Sequence, residues 1–140
     1  MKQRTNNNVN ISRGLLLISF LLFGSMIQDK KKWIAPESAK KMKNPVAVDK
    51  ESLAEGKMLY SKHCKSCHGI GGKGDGTKAA SLDVSCGDFT SEEFKKETSG
   101  EIFWKTTEGR DPMPSFKQKL NDDERWQIVN YMRTLAEKTK

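Results

Sequence analysis

Five consecutive residues, Cys64-Lys65-Ser66-Cys67-His68, restrict this chain more than anything else in it. Two thiols lie about one helical turn apart, and an imidazole follows at once. The sulfurs can add to the two vinyl groups along one porphyrin edge, which sets His68 under the ring where a nitrogen can bind iron. C-x-x-C-H is accordingly a signature of c-type haem attachment. Three other chemistries compete for these residues. A redox dithiol expects a strand–helix context, and no strand is predicted here. A zinc site at Cys64 and Cys67 with His63 and His68 lacks the usual second, separated ligand pair. A Cys64–Cys67 disulfide leaves His68 without a role. The pentapeptide favours a fold built around one covalent haem.

The remaining composition fits a single small domain. Hydrophobic residues make up 35% and charged residues 31% of 140, too mixed for a multi-span membrane protein and too apolar for a disordered chain. The net charge of +7 suggests nucleic acid until it is located. Of 25 basic and 18 acidic residues, residues 1–28 hold three and none, and residues 29–49 hold six and three. Residues 50–140 keep 16 against 15, so no nucleic-acid partner is expected.

The basic start runs into an apolar stretch over residues 14–27. Fourteen residues is short for a spanning helix, which needs about 20, and suits a secretory signal core. Residues 1–28 are read as a signal peptide or N-terminal membrane anchor, with 14–27 as the tether if it is retained. Trp33 beside Lys30–Lys32 suits a lipid interface. Residues 29–49, lysine-rich with Pro36 and Pro45, show no steady apolar period and read as a solvated basic linker.

From Asp49 the pattern is helical and no stretch alternates with period two, so the fold class is all-α. Asp49 suits an N-cap, followed by Leu53, Gly56, Met58, Leu59 and Tyr60 on an apolar side. A second helix is predicted from Thr90, with Glu93 completing a capping box and Phe89 and Phe94 forming a staple. A third starts near Ser99, carries Ile102, Phe103 and Thr106, and stops at Gly109. The last begins at Asn121 and buries Ile128, Val129, Met132, Leu135 and Ala136; Met58 and Met132 read as core filler.

Met113 is different. It stands between Pro112 and Pro114, after a helix stop, where proline holds the backbone extended. A stiff loop offering one thioether is what a sixth iron ligand opposite His68 requires. The glycine run 69–76 lacks both the ending and the preceding strand of a phosphate loop, and reads as a flexible connection. His63 is expected to face solvent. Arg110 and Trp104 are candidates for haem-propionate contacts or pocket lining.

With Gly56-x-x-x-Tyr60-x-x-x-Cys64-x-x-Cys67-His68-Gly69, then Met113-Pro114-x-Phe116, then Trp126-x-Ile128-Val129-Asn130-Tyr131, residues 50–140 resemble the class I c-type cytochromes in their small bacterial monohaem form. The resemblance implies four to five helices around one haem c, thioethers at Cys64 and Cys67, and axial ligands at His68 and Met113. It also implies a close crossing where Gly56 and Tyr60 meet Ile128 and Tyr131, which accounts for a mid-helix glycine. Two features depart from the family. No proline lies between His68 and Pro112, so a carbonyl within Gly69–Lys78 is expected to face the histidine's other nitrogen. Cys86 stands outside the pattern and has either a free or disulfide-linked thiol or a merely packed side chain.

Six-coordinate iron leaves no open position for substrate, so the implied activity is one-electron transfer between redox proteins outside the cytoplasm, as in a respiratory chain, rather than enzymatic catalysis. A thioether favours Fe(II) and raises the potential. Two other readings remain: a haem-based ligand sensor or enzyme with a labile Met113, and a zinc-stabilised interaction module. Haem also serves as the staple that a core of this size needs.

Overall fold

A computed structural model describes residues 32–137. The apolar run over 14–27, and with it the signal or tether reading, lies outside them. Among the described residues no helix is long and apolar enough to cross a membrane.

Six helices and no strand form the described chain: α1 (Glu37–Lys40), α2 (Lys50–His63), α3 (Lys65–His68), α4 (Glu92–Lys96), α5 (Ser99–Glu108) and α6 (Asp122–Glu137), with a 3-10 turn at Ala79–Ser81. The all-α expectation holds. Local chemistry sets the boundaries. Asp49 accepts the Ser52 N–H at 2.8 Å and starts α2; Thr98 and Glu101 form a reciprocal capping box on α5. Asn121 and Glu124 exchange a similar pair of bonds at 2.9 and 2.8 Å before α6. The start of α4 differs from expectation by one residue. Asp88 Oδ1 takes both the N–H and the hydroxyl of Thr90, so Ser91 becomes the cap, accepting the Phe94 N–H at 3.3 Å. Phe89 and Phe94 still pack, with ring centroids 4.7 Å apart.

α2 and α6 make the most extensive helix–helix contact. They close around Gly56: a Cβ there would overlap the Gln127 carbonyl oxygen, lying 2.6 Å from its carbon and 3.2 Å from Tyr131 Cβ. Four residues on, the Tyr60 ring lies 5.2 Å from that of Tyr131. The predicted crossing is therefore present, with the Gln127 backbone rather than Ile128 against the glycine. Ile128 and Val129 are fully buried beside it. Arg133 ties α6 to the α4–α5 junction, donating to the carbonyls of Phe94 and Glu97 and to Ser99 Oγ.

Met58 is not core filler. It is 56% exposed, because two residues beyond Gly56 is about 200° around the helix, on the opposite face. Met132 is buried as expected.

The solvated basic linker expected over residues 29–49 is, in its described part, mostly exposed but docked on the helices at a few points. Ala35 and Ala39 are buried, and α1 rests on α5, where Gly100 leaves room for the Ala39 carbonyl. Asn44 Nδ2 donates to Asn130 Oδ1 at 2.6 Å, and Asn130 Nδ2 reaches Ser52 Oγ at 3.1 Å. Small side chains and amides make these contacts, and neither leaves an apolar period in the sequence. Asn44→Ala strips the buried Asn130 oxygen of its partner and is expected to cost about 1–3 kcal/mol. Thermal unfolding of the full chain measures it; an unchanged midpoint counts against a structural role for this segment.

Candidate haem-binding site

The C-x-x-C-H residues turn directly off the end of α2. Cys64 caps that helix, its N–H bonding the Tyr60 carbonyl, and its own carbonyl accepts from Cys67 and His68 at 3.1 and 2.9 Å. This turn brings both thiols and the imidazole into one short segment. Cys64 is 8% exposed; Cys67 and His68 are half-buried.

The glycine run behind the motif is a hydrogen-bonded frame rather than a flexible connection. The N–H groups of Gly74, Gly76 and Lys78 bond to the carbonyls of His68, Cys67 and Ser66 at 2.9, 3.1 and 2.8 Å. Gly69, Gly72 and Gly74 adopt positive φ, a conformation most side chains disfavour. Tyr60 Oη donates to the Gly69 carbonyl at 2.7 Å, locking the end of the motif to α2. Burial pushes the Tyr60 hydroxyl's pKa upward, so it remains a donor.

The His68 ring stacks on Phe89, centroids 4.7 Å apart and planes 26° from parallel. Burial lowers its pKa, favouring the neutral imidazole that a metal requires, while the nearby Cys86 backbone acts in the opposite sense. Nδ1 is buried with no hydrogen-bond partner. The predicted carbonyl within Gly69–Lys78 therefore does not serve His68. The His68 and Gly69 carbonyls are already engaged by Gly74 and Tyr60, and the backbone that reaches the ring belongs to Cys86. Phe89 and Cys86 were missed as neighbours of the site because only the fold of the 69–89 loop brings them there.

Met113 arrives on a separate strap. Gly109 ends α5 at φ 69°, and Arg110 and Met113 then exchange backbone hydrogen bonds of 2.9 and 2.8 Å around a cis Asp111–Pro112 bond. Ser115 Oγ donates to the Thr107 carbonyl at 2.7 Å, fixing the far side. Met113 packs, partly buried, on the apolar cluster that also contains Cys64 and Phe89. Both candidate axial residues thus reach one core from different segments. His63 is not simply solvent-facing: its ring lies edge-on to Phe116, 5.8 Å away.

These residues fit a haem. A half-buried imidazole whose burial favours the neutral form follows two cysteines in a braced turn, and a thioether lies on the same core. They fit the competing chemistries less well. Burial pushes the Cys64 thiol up to about 12, the reverse of an activated redox thiol. Among the described residues no group of three or more His, Cys, Asp or Glu side chains is placed to hold a metal ion.

Comparisons with known proteins point the same way. The model of the family described as "Cytochrome C oxidase, cbb3-type, subunit III" matches residues 51–132. A chain from the Kuenenia stuttgartiensis reducing HAO-like protein complex Kustc0457/Kustc0458 is similar in structure, with a TM-score of 0.60 and 32% identity over 65% of this chain and 46% of that one. The chain thus spans under half of that relative's length. The KustC0563 c-type cytochrome matches with a TM-score of 0.50 and 30% identity, covering 57% of this chain and 95% of that one. A search of curated proteins gives no match.

Proposed function

Because the chain belongs to the c-type cytochrome family described as cbb3-type cytochrome c oxidase subunit III, we propose that it is a one-electron carrier whose single haem c is held by Cys64 and Cys67, with His68 and Met113 on the iron. Proteins of this family carry covalently bound haem and transfer electrons. Haem c supplies the one-electron Fe(III)/Fe(II) couple; the polypeptide decides its potential and its access. Cys64 and Cys67 fix the group to a turn that the 69–78 backbone braces. His68 presents a neutral nitrogen, oriented by Phe89. Met113 contributes a soft sulfur that favours the reduced state, and two such ligands leave no position for a substrate.

The observation that carries this reading is the short turn off α2 that holds both thiols and a half-buried imidazole, braced by the 74–78 backbone. The proposed partners are redox proteins, which is supported by the occurrence of a similar chain in a reducing HAO-like protein complex. The proposed location is outside the cytoplasm, soluble or tethered through residues 14–27, in keeping with the N-terminal pattern and covalent haem.

Intact mass and the optical spectrum of the exported chain test the proposal together. The expected product weighs one haem more than its polypeptide and binds cyanide sluggishly in the ferric state. Met113→Ala is expected to bind it at least about tenfold faster, since a vacant sixth position needs no ligand displacement. A colourless product overturns the reading; rapid uptake by the unaltered protein favours the ligand-sensing alternative.

A further inference from the structure

Trp33 precedes α1 and lies far from the haem-attachment motif in sequence, yet it packs at the base of the Met113 strap. Its half-buried ring meets Trp104 of α5 edge-on, with centroids 6.4 Å apart and planes 62° apart. The Arg110 guanidinium carbon lies over the Trp33 ring at 4.8 Å, and Lys105 Nζ at 5.7 Å. Trp33 thus packs against protein, and Trp104 and Arg110, expected near the haem edge, engage it. Arg110 is also the residue whose backbone pairs with Met113 in both directions.

We propose that Trp33 is a positioning residue for Met113, clamping the near side of the strap through Arg110 while Ser115 holds the far side. The proposal rests on the reading of Met113 as an iron ligand. A thioether–iron(III) bond opens readily, and small anions enter only while it is open. The open population depends on how firmly the strap is held in its closed position. Indole is the best of the aromatic partners for a guanidinium, and a contact of this class shifts a local equilibrium by about tenfold. Removing the ring therefore raises the open population without touching His68, Cys64 or Cys67.

The test uses the full haem-loaded chain and three readouts: the weak far-red absorption of a sulfur–iron(III) bond, the rate of cyanide uptake, and the reduction potential. Trp33→Ala is expected to weaken the far-red absorption, accelerate cyanide uptake by about tenfold and lower the potential. Trp33→Phe, which keeps a ring face, should restore most of each effect. Arg110→Ala should act in the same direction as Trp33→Ala, and the double variant should fall well short of the sum of the two, because the substitutions share the Trp33–Arg110 contact. A Trp33→Ala protein with unchanged band and uptake overturns the clamp. So does additivity of the two substitutions, which would indicate general loosening. Unaltered protein lacking the far-red absorption would overturn the Met113 ligation and the clamp with it, an outcome distinct from a band that is present and indifferent to Trp33.

Discussion

Replacing Cys64 and Cys67 together by alanine will yield a colourless chain with little helical circular dichroism and no cooperative thermal transition. The expectation follows from magnitudes. A domain of this size is stable by about 5–15 kcal/mol. A cofactor pocket at the small end of the usual range encloses about 300 Å³, and emptying it at about 24 cal/mol per Å³ costs about 7 kcal/mol. That loss ranges from about half of the margin to more than all of it. Collapse is a poor remedy, because the turn carrying the motif is braced by Gly74, Gly76, Lys78 and Tyr60, and His68 Nδ1 would stay buried without a partner. The substitutions themselves are small, so unfolding reports the missing haem rather than lost thiol contacts. A sharp melting transition in the colourless variant would show that the polypeptide core suffices, and the staple argument would fail.

The parts legible in the sequence are those governed by short-range rules. Helix starts at Asp49 and Asn121 and the stop at Gly109 depend on chemistry within four residues, and each was visible. The motif at 64–68 was visible because thioether attachment fixes both spacing and order. Gly56 was understood through the family resemblance, since nothing local distinguishes a packing glycine from an incidental one. Three features escaped because their causes are long-range. The 33–49 segment docks through Ala35, Ala39 and Asn44, residues whose composition resembles a linker's and whose partners, Gly100 and Asn130, are distant in the chain. The glycine run is ordered by carbonyls of the motif itself, a pattern that composition reports only as flexibility. Cys86 approaches His68 solely because the 69–89 loop folds back, with the Phe89 N–H bonding the Gly72 carbonyl at 2.7 Å.

Gly56→Ala sets two rules against each other, and the structure decides between them. In an exposed helix the change stabilises by about 1 kcal/mol, because alanine restricts the unfolded chain and glycine does not. Here the added methyl would overlap the carbonyl oxygen of Gln127 and lie 2.6 Å from the carbon. Backbone atoms of a packed helix cannot rotate aside as a side-chain tip can, so α2 and α6 must separate. Separation disturbs Ile128 and Val129, which are fully buried next to the contact, and the Tyr60–Tyr131 ring pair one turn along. Overpacking of this kind costs about 1–3 kcal/mol or more, which outweighs the propensity gain. The expected net loss is about 2 kcal/mol, or a melting midpoint lower by about 8–16 °C for a domain of this size. Haem content should be unchanged, since the motif begins two turns further on. A midpoint equal to or above that of the unaltered protein would mean that the two helices do not meet closely at Gly56, and the geometry linking the start of the domain to its end would have to be redrawn.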